Sequence, residues 1–388
     1  MWCRRPSRRL SVKTADKLEV YYRGRHVGTM APYQKYMTAF EYTADWLRNG
    51  FSISPFSLPL IPGIKIAKAI PFNGLFGIFM DSLPDGWGRL LVDRMLRREG
   101  ERPEEIGYLN RLSIVGSSGM GALEYKPVYL WKKGAEIVSD FDRLAGECAK
   151  ILQSEESKDL DTLFAMGGSS GGARPKVILT MDDGEWIVKF PSSGDPEDIG
   201  RMEYEDHLCA KACGIDIPEI RLFPSARCSG YFGSRRFDRA DEAGKEKKIH
   251  MASASALLET SHRIPSLDYT TLMSLTWQLT KEAEDLHRMF TLMCFNVFAH
   301  NRDDHSNNFS FLCDEGTWRL APAYDLTRSD SLGGEHATTI AGEGKNPGMK
   351  DILAVAKNIG MKESTAKEIA EKVKETVFSR LLKYQQRR

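Results

Sequence analysis

The period of apolar positions changes several times along the 388-residue chain, and each change predicts an element. Lys17–Met30, KLEVYYRGRHVGTM, alternates around Arg23-Gly24-Arg25 and predicts a hairpin. Phe40–Leu47 reads as a short amphipathic piece. From Phe51 to Phe72 the apolar run is loop and strand, because Pro55, Pro59, Pro62 and Pro71 each interrupt a helix. Helical spacing resumes over Phe79–Leu96 around Pro84-Asp85-Gly86, and Ser113–Pro127, SIVGSSGMGALEYKP, reads as a Gly-rich strand-like passage. Charged, Ser-rich sequence at Lys132–Lys158 predicts a helix with flexible ends and a domain junction.

Beyond the junction the punctuation changes. Met166–Thr180 is a Gly/Ser loop feeding a strand, Glu185–Phe190 a second strand, and Glu203–Cys213 a helix ended by Gly214. Glu219–Phe223 and Tyr231–Phe237 are strand-like. From Ser266 onward, Leu272, Leu275, Leu279, Met289, Leu292, Met293 and Val297 recur at the spacing of a buried helix face. A polar loop, His300–Asn308, interrupts this pattern and is followed by strands at Phe309–Leu312 and Trp318–Leu320. Amphipathic helices fill Met349–Tyr384.

Charge narrows the classes of partner. With 54 Lys+Arg against 53 Asp+Glu, the surface as a whole is no nucleic-acid footprint. The seven cysteines, at 3, 148, 209, 213, 228, 294 and 313, form no CxxC pair and read as buried or free thiols in a reducing compartment. Cys209 and Cys213, one helical turn apart, read as small core-facing residues. The start, MWCRRPSRRLSVK, lacks the apolar stretch of a secretory signal, and no apolar run is long enough to cross a bilayer. That start reads as a solvated tail or, from its Arg and Ser, a transit peptide; the chain as a whole is expected to be cytoplasmic.

Four features carry the chemistry. In Gly167-Gly168-Ser169-Ser170-Gly171-Gly172-Ala173-Arg174-Pro175-Lys176, glycines allow backbone N–H groups to approach an anion as in phosphate cradles, although the Walker A pattern is absent. Lys189, inside the apolar strand Trp186–Phe190, is costly to bury without an anion, unless it is an edge-strand guard. Glu203, at the head of the next helix, can be its partner, a pairing that positions nucleotide phosphates in protein kinases. His300-Asn301-Arg302-Asp303-Asp304-His305-Ser306-Asn307-Asn308 has the spacing of a kinase catalytic loop, an Asp followed after four residues by Asn. Such an Asp accepts the proton of a substrate hydroxyl, and the Asn offers an oxygen to magnesium. Asp325, after a short hairpin in Ala321-Pro322-Ala323-Tyr324-Asp325-Leu326, stands where kinases place a second metal-binding carboxylate, with Asp-Leu-Thr in place of Asp-Phe-Gly. The set describes a site for ATP and Mg²⁺.

Gly171–Lys176 with the following Val-Ile-Leu-Thr, the Ile-Val-Lys-Phe-Pro strand, Arg236-Phe237-Asp238-Arg239, Asp303–Ser310 and Pro322–Asp325 resemble the HipA family of bacterial serine/threonine kinases, the toxins of type II toxin–antitoxin modules. Phe40–Leu47, Ser57–Leu60, Phe79–Pro84 and Gly119–Ala122 resemble that family's small N-terminal subdomain. The resemblance implies an α+β, two-lobed kinase-like fold: an N-terminal mixed subdomain at 1–130, a nucleotide-binding lobe at 131–240 and a helical C-terminal lobe at 241–388. It implies Asp303 as catalytic base and Asn308 and Asp325 as magnesium ligands. For ATP it implies Gly171, Gly172, Ala173, Arg174, Pro175 and Lys176 over the phosphates and Lys189 upon them. Arg235, Arg236 and Phe237 fall by the adenine, and His305, Ser306 and Asn307 line the catalytic loop beside Asn308, Tyr324 and Asp325.

Ser169 resembles the family's autophosphorylation site, with Ser170 an adjacent rival. Two departures are visible: Arg174-Pro175 replaces the family's Gln-Glu, and Asn307-Asn308 its Lys-Asn. The implied function is ATP- and magnesium-dependent phosphorylation of a protein, an aminoacyl-tRNA synthetase being a characterised target in the family. The implied partner is a helix-turn-helix antitoxin, through which DNA is met. A non-catalytic ATP-binding corepressor acting with such an antitoxin and a kinase for a small molecule or lipid are the other readings open at this stage.

Overall fold

The computed structural model describes residues 16–34, 36–129, 140–242, 244–261, 263, 266–329 and 333–385. The basic N-terminal tail, Cys3 and the first part of the expected junction, 132–139, lie outside them. The chain folds as an α+β, two-lobed molecule in which, among the described residues, five sheets of two to five strands are joined by helices.

The expected hairpin is β1 (Leu18–Tyr22) and β2 (Arg25–Tyr33), extended by β3 (Met37–Tyr42). Phe40 and Tyr42 belong to this strand and not to a helix: both are buried while Glu41 between them is exposed, which is a period of two. The helix α1 (Ala44–Asn49) begins after Thr43, whose hydroxyl caps it by accepting from the Trp46 N–H. Next come β4 (Lys65–Ile66), α2 (Gly77–Met80), α3 (Gly86–Arg98), α4 (Tyr108–Val115) and β5 (Leu123–Lys126). The strands form an antiparallel sheet in the order β4-β3-β2-β1-β5. The strand-like expectation for Ser113–Pro127 holds only at β5, because Leu109, Leu112 and Val115 continue a helix face into it.

Helices α5 (Phe141–Leu152) and α6 (Leu160–Gly167) lead into a second antiparallel sheet. It holds β6 (Lys176–Met181), β7 (Gly184–Lys189), then, after α7 (Ile199–Ala212), β8 (Ile220–Phe223) and β9 (Tyr231–Arg235), in the order β6-β7-β9-β8. A charged ribbon, β10 (Arg239–Glu242) with β11 (Lys245–Lys248), precedes β12 (His250–Ser253) and α8 (Ala254–Leu258). The remaining elements are β13 (Leu267–Asp268), α9 (Tyr269–Thr280), α10 (Ala283–Ala299), β14 (Ser310–Asp314), β15 (Thr317–Leu320), β16 (Thr338–Thr339), α11 (Met349–Asn358) and α12 (Glu363–Gln385).

One apolar core runs without a break from Leu18 and Phe40 in the first sheet, through Met289, Met293 and Val297 of α10, to Val377 and Leu381 of α12. A second core lies beneath the β6–β9 sheet and takes Leu144, Cys148, Leu163, Val177, Val188 and Tyr231 from it and its helices. Trp87 and Leu91 of α3 also enter this second core, so a helix from the N-terminal part of the chain packs into the lobe that follows. Cys148, Cys209, Cys213, Cys294 and Cys313 are buried free thiols and Cys228 is half-buried. Among the described residues no helix is long and apolar enough to cross a membrane.

Candidate active site

The register of β6 against β7 sets Lys176 directly opposite Lys189, so both side chains leave the same face of the sheet. Two ammonium groups on one face need anions. Glu203, on the first turns of α7 with its side chain only 2% exposed, supplies one: its Oε1 lies 2.5 Å from Lys189 Nζ. Asp325 pairs with the same Lys189. The second Glu203 oxygen, Oε2, takes the Arg174 guanidinium at 3.3 Å, and Arg174 also reaches Asp195 at 3.1 Å. A buried carboxylate is tolerable only with such compensation. Burial alone would push the Asp325 carboxyl up, but the Lys189 and Lys176 charges and the Lys189 hydrogen bond outweigh it and hold it well below the usual carboxylate range.

Lys176 is different. It is 92% buried by residue, its amine faces Gly172, and among the described residues no carboxylate lies within ion-pair distance of it. Burial lowers its pKa to about 8, with Asp325 pulling it up and Lys189 pushing it further down. The backbone N–H groups of residues 171–174 likewise donate to no protein acceptor among the described residues. A buried cation and a row of free amides in one loop form an anion cradle.

The loop facing this cradle follows α10, whose last residue hands over to His300 in the left-handed region. Two adjacent aspartates there do opposite things. The Asp304 carboxylate is fully buried and accepts from the Tyr269 hydroxyl (3.0 Å), the Thr338 N–H (3.2 Å) and His336 Nδ1 (2.9 Å). Asp303 is turned outward and exposed, with His305 Nε2 at 3.9 Å from its Oδ1. The Asn308 amide nitrogen donates to the Asp303 carbonyl (2.8 Å), which fixes the turn and leaves the Asn308 Oδ1 for another partner. Asn301 ties the loop to α10 through Asn296 (3.0 Å) and to the Asp325 carbonyl (3.4 Å). An Asn308 amide oxygen and an Asp325 carboxylate suit magnesium, which takes its other positions from phosphate oxygens and water.

The residues expected near the adenine divide. Phe237 and Tyr324 face each other with ring centroids 5.5 Å apart, and the Tyr324 hydroxyl is held by the Asn307 carbonyl and Ser310. The guanidiniums of Arg235 and Arg236 are not brought to the lysine cluster. Arg236 is buried on Asp238 (2.7 Å) and Glu185 (3.2 Å), and Arg235 reaches for Glu219 at 3.5 Å. In the Gly-rich loop Gly171, Gly172 and Ala173 are exposed, whereas Pro175 is buried and its carbonyl accepts from the Phe190 N–H. Ser170 is buried and donates to the Gly167 carbonyl at 2.6 Å; Ser169 is half-buried. Ser306 is buried in the turn that ends the catalytic loop.

Asp304, Tyr269, His336 and Thr338 were not singled out from sequence. Their only local signal was the second Asp of Asp-Asp-His, since their partners lie 32 to 35 positions away. Asp195 and the Gly86–Gly88 turn were missed for the same reason.

Comparison with known proteins matches this geometry. Residues 168–381 match the HipA-like C-terminal domain, and residues 18–126 match the HipA N-terminal domain. The Sinorhizobium fredii protein Y4mE, named as a kinase, is 26% identical over 343 residues, covering 81% of this chain and 77% of the relative. The serine/threonine-protein kinase toxin HipA of Shewanella oneidensis is 21% identical over 323 residues, or 75% of this chain and 70% of the toxin. A solved structure titled as the toxin–antitoxin complex of Shewanella oneidensis HipA, HipB and operator DNA has the same fold. Its TM-score is 0.72 at 17% identity, with 94% of this chain and 90% of that one covered. The chain belongs to the HipA family of serine/threonine kinases.

Proposed function

We propose that this kinase transfers the γ-phosphoryl group of ATP to a hydroxyl of a protein, with Asp303 as the catalytic base. The observation that carries the reading is Lys176, a buried cation with no carboxylate within ion-pair distance among the described residues, set in a loop whose 171–174 amides donate to none of their acceptors. Lys176 and the amides of 171–174 bind the β- and γ-phosphates, and Lys189, held by Glu203, orients them. Asn308 and Asp325 would hold magnesium, which when bound neutralises charge developing on the phosphate oxygens. The substrate oxygen attacks the γ-phosphorus, the bond from that phosphorus to the β–γ bridging oxygen breaks, ADP leaves, and the hydroxyl proton passes to Asp303.

Phe237 and Tyr324 form the aromatic surface for the adenine. Arg174 replaces a neutral family residue, and its ties to Asp195 and Glu203 hold the loop near the site until phosphates compete for it. Autophosphorylation falls on Ser169, because the Ser170 hydroxyl is buried and engaged. The added charge of about −1.5 to −2 would then repel ATP phosphates and expel the loop. The partner is an antitoxin of the kind present in the Shewanella oneidensis complex, and DNA is met through it.

The test is incubation with labelled ATP and magnesium beside Asp303→Ala, followed by intact mass and site mapping. Phosphate gained by the wild type, and lowered by about 10²-fold or more in the variant, is the expected result. Equal incorporation in both would remove Asp303 from the chemistry. ATP binding without any transfer would move the reading to a corepressor.

A further inference from the structure

The nucleotide loop has a second set of neighbours, and they come from α3, 89 positions earlier in the chain. The Trp87 indole Nε1 donates to the Lys176 carbonyl at 3.0 Å, and the Trp87 backbone N–H donates to the Gly172 carbonyl at 2.9 Å. Both carbonyls belong to residues of the cradle. The residues flanking Trp87 are glycines for a spatial reason. A Cβ on Gly86 would run into the Gly172 carbonyl, and one on Gly88 into the Ser170 carbonyl. Gly167, where α6 enters the loop, is similarly confined: a Cβ there would meet the Lys176 carbonyl at 2.6 Å and Trp87 Nε1 at 3.2 Å. Trp87 is 1% exposed and packs with Leu91, Leu163 and Val177.

A loop with four glycines among residues 167–172 has many conformations, and an anion would have to select one of them. Drawing the Gly172 and Lys176 carbonyls back onto α3 removes much of that freedom before any ligand arrives. It also keeps these acceptors, which would repel phosphate oxygens, tied on the far side of the loop. We propose that Trp87, between Gly86 and Gly88, is a positioning residue of the kinase: it touches neither nucleotide nor substrate, and sets nucleotide affinity by pre-organising residues 170–176. The proposal rests on the reading of that loop as the phosphate cradle.

Trp87→Phe keeps an aromatic ring in the core and removes the indole donor together with the volume of one ring, while Gly88→Ala pushes the loop off its seat. Trp46→Phe is the control, because Trp46 is equally buried and donates to a backbone carbonyl, that of Phe51, away from the loop. MgATP affinity is measured by calorimetric titration, and loop order by amide hydrogen exchange. Trp87→Phe is expected to weaken MgATP binding by about 5- to 10-fold, the worth of one buried hydrogen bond, with faster exchange confined to residues 168–176. Gly88→Ala weakens it further, and Trp46→Phe leaves it unchanged.

Wild-type affinity in Trp87→Phe, or equal loss in Trp46→Phe and Trp87→Phe, overturns the positioning role while the cradle stands. A wild-type protein that takes up no MgATP overturns the cradle itself, and the positioning role with it.

Discussion

At the scale of single residues, the site is a problem of sharing carboxylates unevenly between two cations on one sheet face. Lys189 has two carboxylates and Lys176 none within ion-pair reach, so their shifts go in opposite directions, up for Lys189 and down to about 8 for Lys176. The Lys176 value gives a measurable pH dependence. Its ordinary pKa is 10.5, so between pH 8 and 10.5 the unfolded chain holds a proton that the folded chain has released. Stability of the free protein therefore gains from this group as pH rises through that window. Nucleotide binding behaves in the other sense, because phosphates favour the ammonium form. MgATP affinity is expected to be level from pH 6.5 to 7.5 and to fall above pH 8, by about 3- to 10-fold at pH 9, with proton uptake on binding. Lys176→Arg, charged throughout, should flatten the profile. A wild-type profile flat to pH 9.5 would mean that Lys176 does not meet the phosphates.

Legibility at this scale followed sequence distance. The spacing from Asp303 to Asn308 and the strand setting of Lys189 are local, and the sequence displays them. Asp304 could not be told from Asp303 by local sequence, because the donors to its carboxylate are the side chains of Tyr269 and His336 and the backbone N–H of Thr338. The partners of Arg236 were hidden for a related reason. An arginine next to the adenine segment suggests a ligand, but Asp238 and Glu185 had already claimed it.

At the scale of elements, α7 shows why apolar periodicity is an incomplete guide. Its buried stripe is Ile199, Glu203, Asp206, His207 and Ala210, which has helical spacing but three polar members. Glu203 turns toward Lys189. Asp206, one turn on, accepts the Arg328 N–H at 3.2 Å and so fastens the segment that follows Asp325. His207 closes the stripe with its ring 4.7 Å from Phe232. One helix thus holds the strand lysine and the segment bearing the Asp325 carboxylate together. Burial raises the Asp206 pKa to about 7, against the Arg328 amide and with help from the Glu203 charge.

Because the folded value lies above the ordinary 3.8, the folded protein binds the proton more tightly between about pH 4 and 7. The stabilisation is full at low pH and is lost as pH rises through 7. Asp206→Asn keeps an acceptor for Arg328 and does not titrate. Its stability relative to wild type should therefore rise from pH 5 to pH 8, by roughly 1–3 kcal/mol in denaturant unfolding. A difference independent of pH would show that Asp206 stays ionised throughout.

At the scale of the molecule, the N-terminal region holds the following lobe at several places, two of them close to the candidate site. Trp87 grips the loop, and the Gly116–Gly121 turn grips the segment after β9. Asp238, fully buried, accepts from the Gly121 N–H at 2.6 Å and pairs with Arg236 and Arg239, while both arginines donate to the Gly119 carbonyl. Gly77 meets α8 so closely that a Cβ would press on Ala256. The limits at 130 and 240 that the resemblance implies divide the sequence, while the first core joins residues on both sides of each and Trp87 and Leu91 of α3 enter the second core. Composition cannot report such crossings, because the residues that make them are ordinary apolar ones separated by hundreds of positions.

A shared core has a thermodynamic consequence. Units joined by small polar interfaces unfold separately, whereas units that share buried apolar surface and a buried charge cluster unfold together. Calorimetry should show one transition, with the calorimetric and van't Hoff enthalpies equal. Asp238→Ala leaves Arg236 buried without that partner and should cost about 3–5 kcal/mol while keeping the transition single. Two resolved transitions in the wild type, the earlier one reported by amide exchange only in residues 18–126, would mean that the N-terminal region is an independent domain resting on the kinase. A single transition would make it part of one cooperative unit with the kinase lobes.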